Sequence, residues 1–189
     1  IASSTINSFT PMVIDTNGNG EIEVSEALLV KWLNVPGSFI ASLEGISSFI
    51  GLQKLICSNN SLTYLDVNSL TNLSFLDCSN NILNSLNAEQ VENTFKYFNC
   101  SFNNLTSLQL PNFYEYQDEE EPSIIFCCRH NQLSESVSST QESYEKLTSV
   151  DISNNNFTNL SFTNIEILGA LNLSNNPLTS IDFANLNLH

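Results

Sequence analysis

Two stretches of the chain, LQKLICSNNSL from Leu52 and LSFLDCSNNIL from Leu73, lie 21 residues apart and fit one template, LxxLxCxxNxL. Leucines, cysteine and asparagine all fall in register. A fixed period in the twenties is what stacked coils produce. One such unit cannot enclose its own apolar face, so it must stack on the next. Within a unit, the alternating apolar positions predict a short strand with one face inward. The asparagine then enters a turn, where its amide can both donate to and accept from backbone groups left unpaired. The pattern therefore predicts one parallel sheet beside a ladder of buried leucine, cysteine and asparagine.

The template recurs along the chain. Phe95, Phe98, Cys100, Asn103 and Leu105 make a third unit, and Phe126, Cys128, Asn131 and Leu133 a fourth. Leu147, Val150, Ile152, Asn155 and Phe157 make the fifth, and Leu168, Leu171, Leu173, Asn176 and Leu178 the sixth. Ahead of them, Val30, Leu33, Val35, Ile40 and Leu43 keep the apolar positions of a degenerate first coil that lacks the asparagine. Steps between equivalent cysteine positions run 21, 22, 28, 24 and 21 residues, the excess falling in insertions near 113–122 and 134–146. Both follow the asparagine turn, so they should bulge away from the sheet. The acidic run 118–121 reads as a solvated loop tip. This consensus resembles the leucine-rich repeat family. The resemblance implies an α/β-class leucine-rich repeat solenoid, a right-handed horseshoe of about seven coils with a concave parallel β-sheet and a mostly irregular convex side.

Placed on the repeat, Cys57, Cys78, Cys100 and Cys128 share one inward position. Neighbouring strands hold such side chains about 4.8 Å apart, too wide for the convergent Cβ approach of a disulfide. A stack of reduced thiols is expected, acting as small core hydrophobes. Acids outnumber Lys and Arg by 20 to 5, for a net charge of -15. That balance repels nucleic acid and anionic membranes and suits a cation or a basic partner. No apolar run approaches the ~20 residues that cross a bilayer, so no membrane insertion is expected. The chain begins at Ile1 without Met or a signal pattern and stops at His189 just past the sixth coil, which we read as a processed or trimmed fragment.

Residues 15–26, DTNGNGEIEVSE, match the loop pattern D-x-[DN]-x-[DN]-G-x-I-x-x-x-E. Calcium in such an EF-hand-like loop takes oxygens from Asp15, Asn17, Asn19, the carbonyl of Glu21, Glu23 directly or through water, and Glu26 as a bidentate carboxylate. Gly20 permits the sharp turn, and Ile22 is expected to anchor the loop to the core. Two asparagines among the ligands point to modest affinity, and a single loop to structural Ca2+. The plain alternative is an Asn- and Gly-rich turn that binds nothing. Residues 1–34 are read as an N-terminal cap and 35–189 as repeats continuous with it. This loop, a short helix within 25–32, a degenerate coil SLEGI and the LxxLxCSxNxL coils together resemble bacterial secreted or cell-surface leucine-rich repeat proteins with a calcium-loop cap. The resemblance implies an extracellular location.

Between the inward leucines, the alternate residues face out. One such column reads Trp32, Lys54, Phe75, Tyr97, Ile125, Ser149 and Ala170, and the next Asn34, Ile56, Asp77, Asn99, Cys127, Asp151 and Asn172. A third would hold Ser58, Ser79, Ser101, Arg129, Ser153 and Ser174. Exposed aromatic columns commonly mark recognition surfaces. The candidate ligand-binding residues are therefore Trp32, Lys54, Phe75, Asp77, Tyr97, Asn99 and Ile125, with Arg129 and His130 at the far edge. A monomeric module binding a protein or glycan ligand is the first reading. The second is a passive spacer or adhesin stalk, its rings shielding one another or covered by the 113–122 loop. An enzyme finds least support, because Cys127 and His130 are the only nucleophile–base pair and no orienting acid or oxyanion donor accompanies them.

Overall fold

The computed structural model describes residues 13–88, 95–108, 124–134, 145–161, 165–183 and 186–188. The segment 1–12, the 113–122 loop with its acidic run, most of the 134–146 insertion and His189 lie outside the described residues. A four-residue helix, α1 (Val24–Ala27), precedes the repeats, and the strands that follow are mostly three residues long. They are β1 (Trp32–Asn34), β2 (Lys54–Ile56), β3 (Tyr64–Asp66), β4 (Phe75–Asp77), β5 (Ser85–Asn87), β6 (Tyr97–Asn99) and β7 (Ile125–Cys127). Then come β8 (Glu145–Asp151), β9 (Asn159–Ser161), β10 (Ile165–Asn172), β11 (Ser180–Asp182) and β12 (Leu186–Leu188).

Eight of these form one parallel sheet in the order β1-β2-β4-β6-β7-β8-β10-β12. Its register aligns Leu33, Leu55, Leu76, Phe98, Phe126, Val150 and Leu171 in a single row. The central members of that row are buried, and the two ends are partly buried against the same core. This is the expected leucine-rich-repeat-like solenoid, with almost no helix. β12 adds a strand beyond the seven coils read from the sequence. The return side, expected to be mostly irregular, carries two further parallel ladders, β3–β5 and β9–β11. Between sheet and return side sit Phe95, Phe98, Phe126 and Phe157 among the leucines, with Phe95 and Phe98 edge-on at 5.2 Å. Gly51 lets the cap close on the first coil, since a methyl group there would lie 2.6 Å from the Leu28 carbonyl oxygen.

The asparagines form the predicted spine. Asn81 Nδ2 donates to the carbonyls of Cys57 (3.0 Å) and Cys78 (3.1 Å), while its Oδ1 accepts from Leu62 N–H at 3.0 Å. Asn103 repeats this one coil on, donating to Cys78 and Cys100 and accepting from Leu83 N–H. Asn131 and Asn155 continue it, all four being buried. Asn60 and Asn176 close the ends and are half-buried. Each spine residue follows a left-handed one: Asn59, Asn80, Phe102, His130, Asn154 and Asn175 have φ between 53° and 58°. Asparagine, and to a lesser degree histidine, tolerates that conformation, whereas Phe102 adopts it against its ordinary preference.

Beside the spine run the thiols. All five cysteines are free, and Cys57, Cys78, Cys100 and Cys128 are buried. Burial first, and then the Asp77 carboxylate, push the Cys57 thiol up to about 12. Burial likewise raises Cys78, Cys100 and Cys128, with neighbouring cysteines as the next cause for each.

Candidate recognition face and cap loop

The sheet register brings Trp32, Lys54, Phe75, Tyr97 and Ile125 into one outward column. Lys54 Nζ lies 3.9 Å above the Phe75 ring, which stacks on Tyr97 at 4.3 Å with planes 10° apart. Lys54, Phe75, Tyr97 and Ile125 are half-buried, and Trp32 is 49% exposed. Asn99 Nδ2 donates to the Tyr97 hydroxyl oxygen at 3.3 Å, and burial raises the Tyr97 pKa, keeping the phenol neutral. The column ends in Ser149 and Ala170, so the aromatic character belongs to the N-terminal coils.

Asp77 and Asn99 occupy the second outward column, as expected, but both are also engaged locally. Asp77 Oδ1 accepts from the N–H (3.1 Å) and hydroxyl (2.6 Å) of Ser79, and Asn99 Oδ1 from Ser101 N–H. The third outward column is a correction. Ser58, Ser79, Ser101 and Ser153 are buried, because the strand ends there and the chain curls into the asparagine turn. The preceding carboxylate draws the Ser79 and Ser153 hydroxyls in. Only Arg129 and Ser174 of that column are exposed among the described residues.

At the rim, Phe102 stacks on His130 at 4.3 Å and 11°, and the Arg129 guanidinium sits 5.1 Å from the Phe102 ring centre. Phe102 escaped the sequence reading; the available signal was its place just before a spine asparagine. His130 lies against Phe102, and among the described residues no hydrogen bond joins it to Cys127. Burial, then the Asp151 charge, raise the Cys127 pKa, with Arg129 pulling weakly the other way. That is opposite to what an activated nucleophile requires.

In the cap, Asp15 Oδ1 accepts from the N–H groups of Gly18 (2.7 Å) and Asn19 (3.2 Å), and its Oδ2 from Gly20 N–H at 2.9 Å. Asn17 Oδ1 accepts from Asn19 N–H and Asn19 Oδ1 from Glu21 N–H, while the Glu23 carboxylate accepts from Asn17 Nδ2. Glu26 is buried; its Oε1 accepts from the Thr16 hydroxyl (2.6 Å) and N–H (2.7 Å), and its Oε2 from Glu23 N–H. Hydrogen bonds from Thr16, then Glu23, hold its carboxyl at about 2. Hard oxygens of the right kind thus line one short loop, closed here by its own hydrogen bonds. Among the described residues no group of three or more His, Cys, Asp or Glu is gathered to hold a metal. Ile22 departs from expectation: it is 51% exposed, and Ala27 and Val30, at 1% and 2%, tie the cap to the core instead.

Short parallel strands, an asparagine spine and a column of buried thiols define a leucine-rich-repeat-like solenoid protein. Among solved structures the chain is similar to the functional domain of InlJ from Listeria monocytogenes, described as including a cysteine ladder. Identity is 25% and the TM-score 0.52, over 87% of this chain and 44% of that one. The match therefore spans less than half the length of that domain's chain. No family model and no curated protein matches it. Among the described residues, no helix is long and apolar enough to cross a membrane.

Proposed function

We propose that this chain is a non-enzymatic, monomeric recognition module, displayed outside the cell, that holds a protein ligand on its concave face. The Lys54–Phe75–Tyr97 stack carries the reading. Its lysine and two rings stand on three adjacent strands, on the side opposite the leucines that fill the core, so core packing does not require them there. Exposed aromatic residues, tyrosine and tryptophan above all, are among the types that dominate interface energetics. The test is the Phe75→Ala/Tyr97→Ala double variant, screened beside the parent on panels of extracellular proteins and glycans. We expect the melting temperature to fall by only a few degrees, since a stacked pair contributes about 1 kcal/mol, and capture of the ligand to fall at least about tenfold. A collapse of the melt would show the rings to be packing elements. A glycan captured through the same rings would replace the protein ligand, and capture of nothing by the parent would favour the spacer.

The cap loop is proposed as a structural calcium site, with Asp15, Asn17, Asn19, the Glu21 carbonyl, Glu23 and Glu26 as the donor set. Bound calcium would cross-link the two ends of the loop and fix α1 against the first coil. Because a ligand of the native state stabilises by about 2.7 kcal/mol at a hundredfold excess over Kd, added Ca2+ should raise the melt by about 5–10 °C over chelator-treated protein. Glu26→Gln should abolish the difference. An identical melt in chelator and in millimolar Ca2+ would sink the site.

A further inference from the structure

On the return side, coils one and two are joined at Ser61 N–H, which donates to the Ile40 carbonyl at 2.9 Å, and then part. Coil two runs on as β3, paired with β5 on one edge. Coil one turns at Gly45, whose φ is 87°, and enters a short 3-10 turn, Ile46–Ser48. The place of a strand beside β3 is left as a cleft of about 560 Å³, lined by Ser42, Glu44, Gly45, Tyr64, Asp66 and Asn68 among others. An extended residue advances ~3.3 Å in a layer ~4.8 Å by ~10 Å, about 160 Å³, so the cleft holds roughly three or four such residues.

The edge of β3 facing this cleft is identifiable. Thr63 gives its carbonyl to Asn84 N–H and Val67 its N–H to the Asn87 carbonyl, both at 2.9 Å and both toward coil three. Alternation along the strand then turns the N–H and C=O of Tyr64 and Asp66 toward coil one. Among the described residues these groups make no backbone hydrogen bond to 42–47. Glu44 and Asp66 line the cleft, and no Lys or Arg does, in a chain of net charge -15. Tyr64, 54% exposed, presents its ring beside them, its hydroxyl donating to Asp66 Oδ2 at 3.2 Å.

We infer that this cleft is a second binding site, distinct from the concave face, in which an extended, Lys- or Arg-bearing segment of a partner protein adds as a strand to the free edge of β3. Main-chain bonds to Tyr64 and Asp66 supply affinity, as in other strand-addition complexes. The carboxylates of Glu44 and Asp66 and the Tyr64 ring select basic side chains.

The probe is an acetylated, amidated octapeptide of alternating valine and lysine, titrated into the full chain at low salt and followed by amide hydrogen exchange. Binding should protect the Tyr64 and Asp66 amides and should survive the Phe75→Ala/Tyr97→Ala change. Glu44→Gln/Asp66→Asn, which removes both charges while keeping side-chain size and one acceptor oxygen at each position, should weaken binding about fivefold or more, and N-methylation of alternate peptide amides should abolish it. The site is overturned if no peptide binds, if a valine–glutamate peptide binds equally well, if N-methylation has no effect, or if protection appears on β2 and β4 instead.

Discussion

Asn103→Ala is expected to destabilise the fold by about 3 kcal/mol, a large fraction of a whole domain's stability. Its side chain satisfies three backbone groups at once: the carbonyls of Cys78 (3.1 Å) and Cys100 (2.9 Å) and the N–H of Leu83 (2.9 Å). Alanine leaves the Leu83 N–H without a partner at a site only 7% exposed, and takes one of two donors from each carbonyl, Cys78 keeping Asn81 and Cys100 keeping Asn131. Each buried unsatisfied group costs about 1–3 kcal/mol, and the lost amide adds a small void. Asn103→Asp should be as damaging, because it turns an oxygen toward two carbonyl oxygens. Asn60→Ala is the comparison: the same bonds are made at a half-buried end coil, where water can replace them, so about 1–2 kcal/mol is expected. Urea denaturation of the three variants decides it. Equal costs at Asn60 and Asn103 would mean that burial of the spine does not set its worth.

Columns that obey the repeat were legible in the sequence because register multiplies a weak signal. A leucine alone says little, but Leu55, Leu76 and Phe98 at matched positions admit one alignment, and the outward Lys54, Phe75 and Tyr97 follow from strand alternation. The reading fails where that alternation stops. Ser79 and Ser153 lie two residues past the strand, where the chain enters the turn, so the period of two that placed Phe75 outward no longer applies to them. Ile22 was placed inward by analogy with a motif, and here the chain after it anchors through Ala27 and Val30. At the rim His130 was named and Phe102 was missed, for a different cause: the left-handed turn is announced by asparagine in four other coils, and Phe102 carries the conformation without that signature.

The return-side ladders have a cause that spacing does contain. β3–β5 and β9–β11 form in the coil pairs whose cysteine-position steps are both 21 residues. Equal coils bring Leu65 opposite Leu86 and Leu160 opposite Ile181. Steps of 22, 28 and 24 residues add chain on the return side, and among the described residues no further ladder forms there. Coil one is the other exception. It leaves the stack through Gly45, and the edge of β3 remains open for that reason.

The thiol column makes the fold alkali-sensitive, and the sign follows from which form burial opposes. A buried thiolate is disfavoured, so Cys57, Cys78, Cys100 and Cys128 keep their protons in the folded chain at pH values where the unfolded chain loses them. Their contribution is fully present below the ordinary thiol pKa and is lost as pH rises from there toward the folded values, about 12 for Cys57 and raised well above the ordinary one for the others. One pH unit above the ordinary value, each thiol forfeits about 1.4 kcal/mol, roughly 6 kcal/mol for the four. Denaturation under reducing conditions should therefore show stability falling steeply between about pH 9 and 10.5. Lysine deprotonation adds to the slope by worsening self-repulsion, so the decisive quantity is a difference. Cys100→Ala should be less stable than the parent at pH 7 because of the void. Its stability should nevertheless fall with pH by about 1.4 kcal/mol per unit less than the parent's, one proton fewer being released on unfolding. Parallel slopes for parent and variant would show that the ladder's thiols ionise as freely folded as unfolded, which their burial forbids.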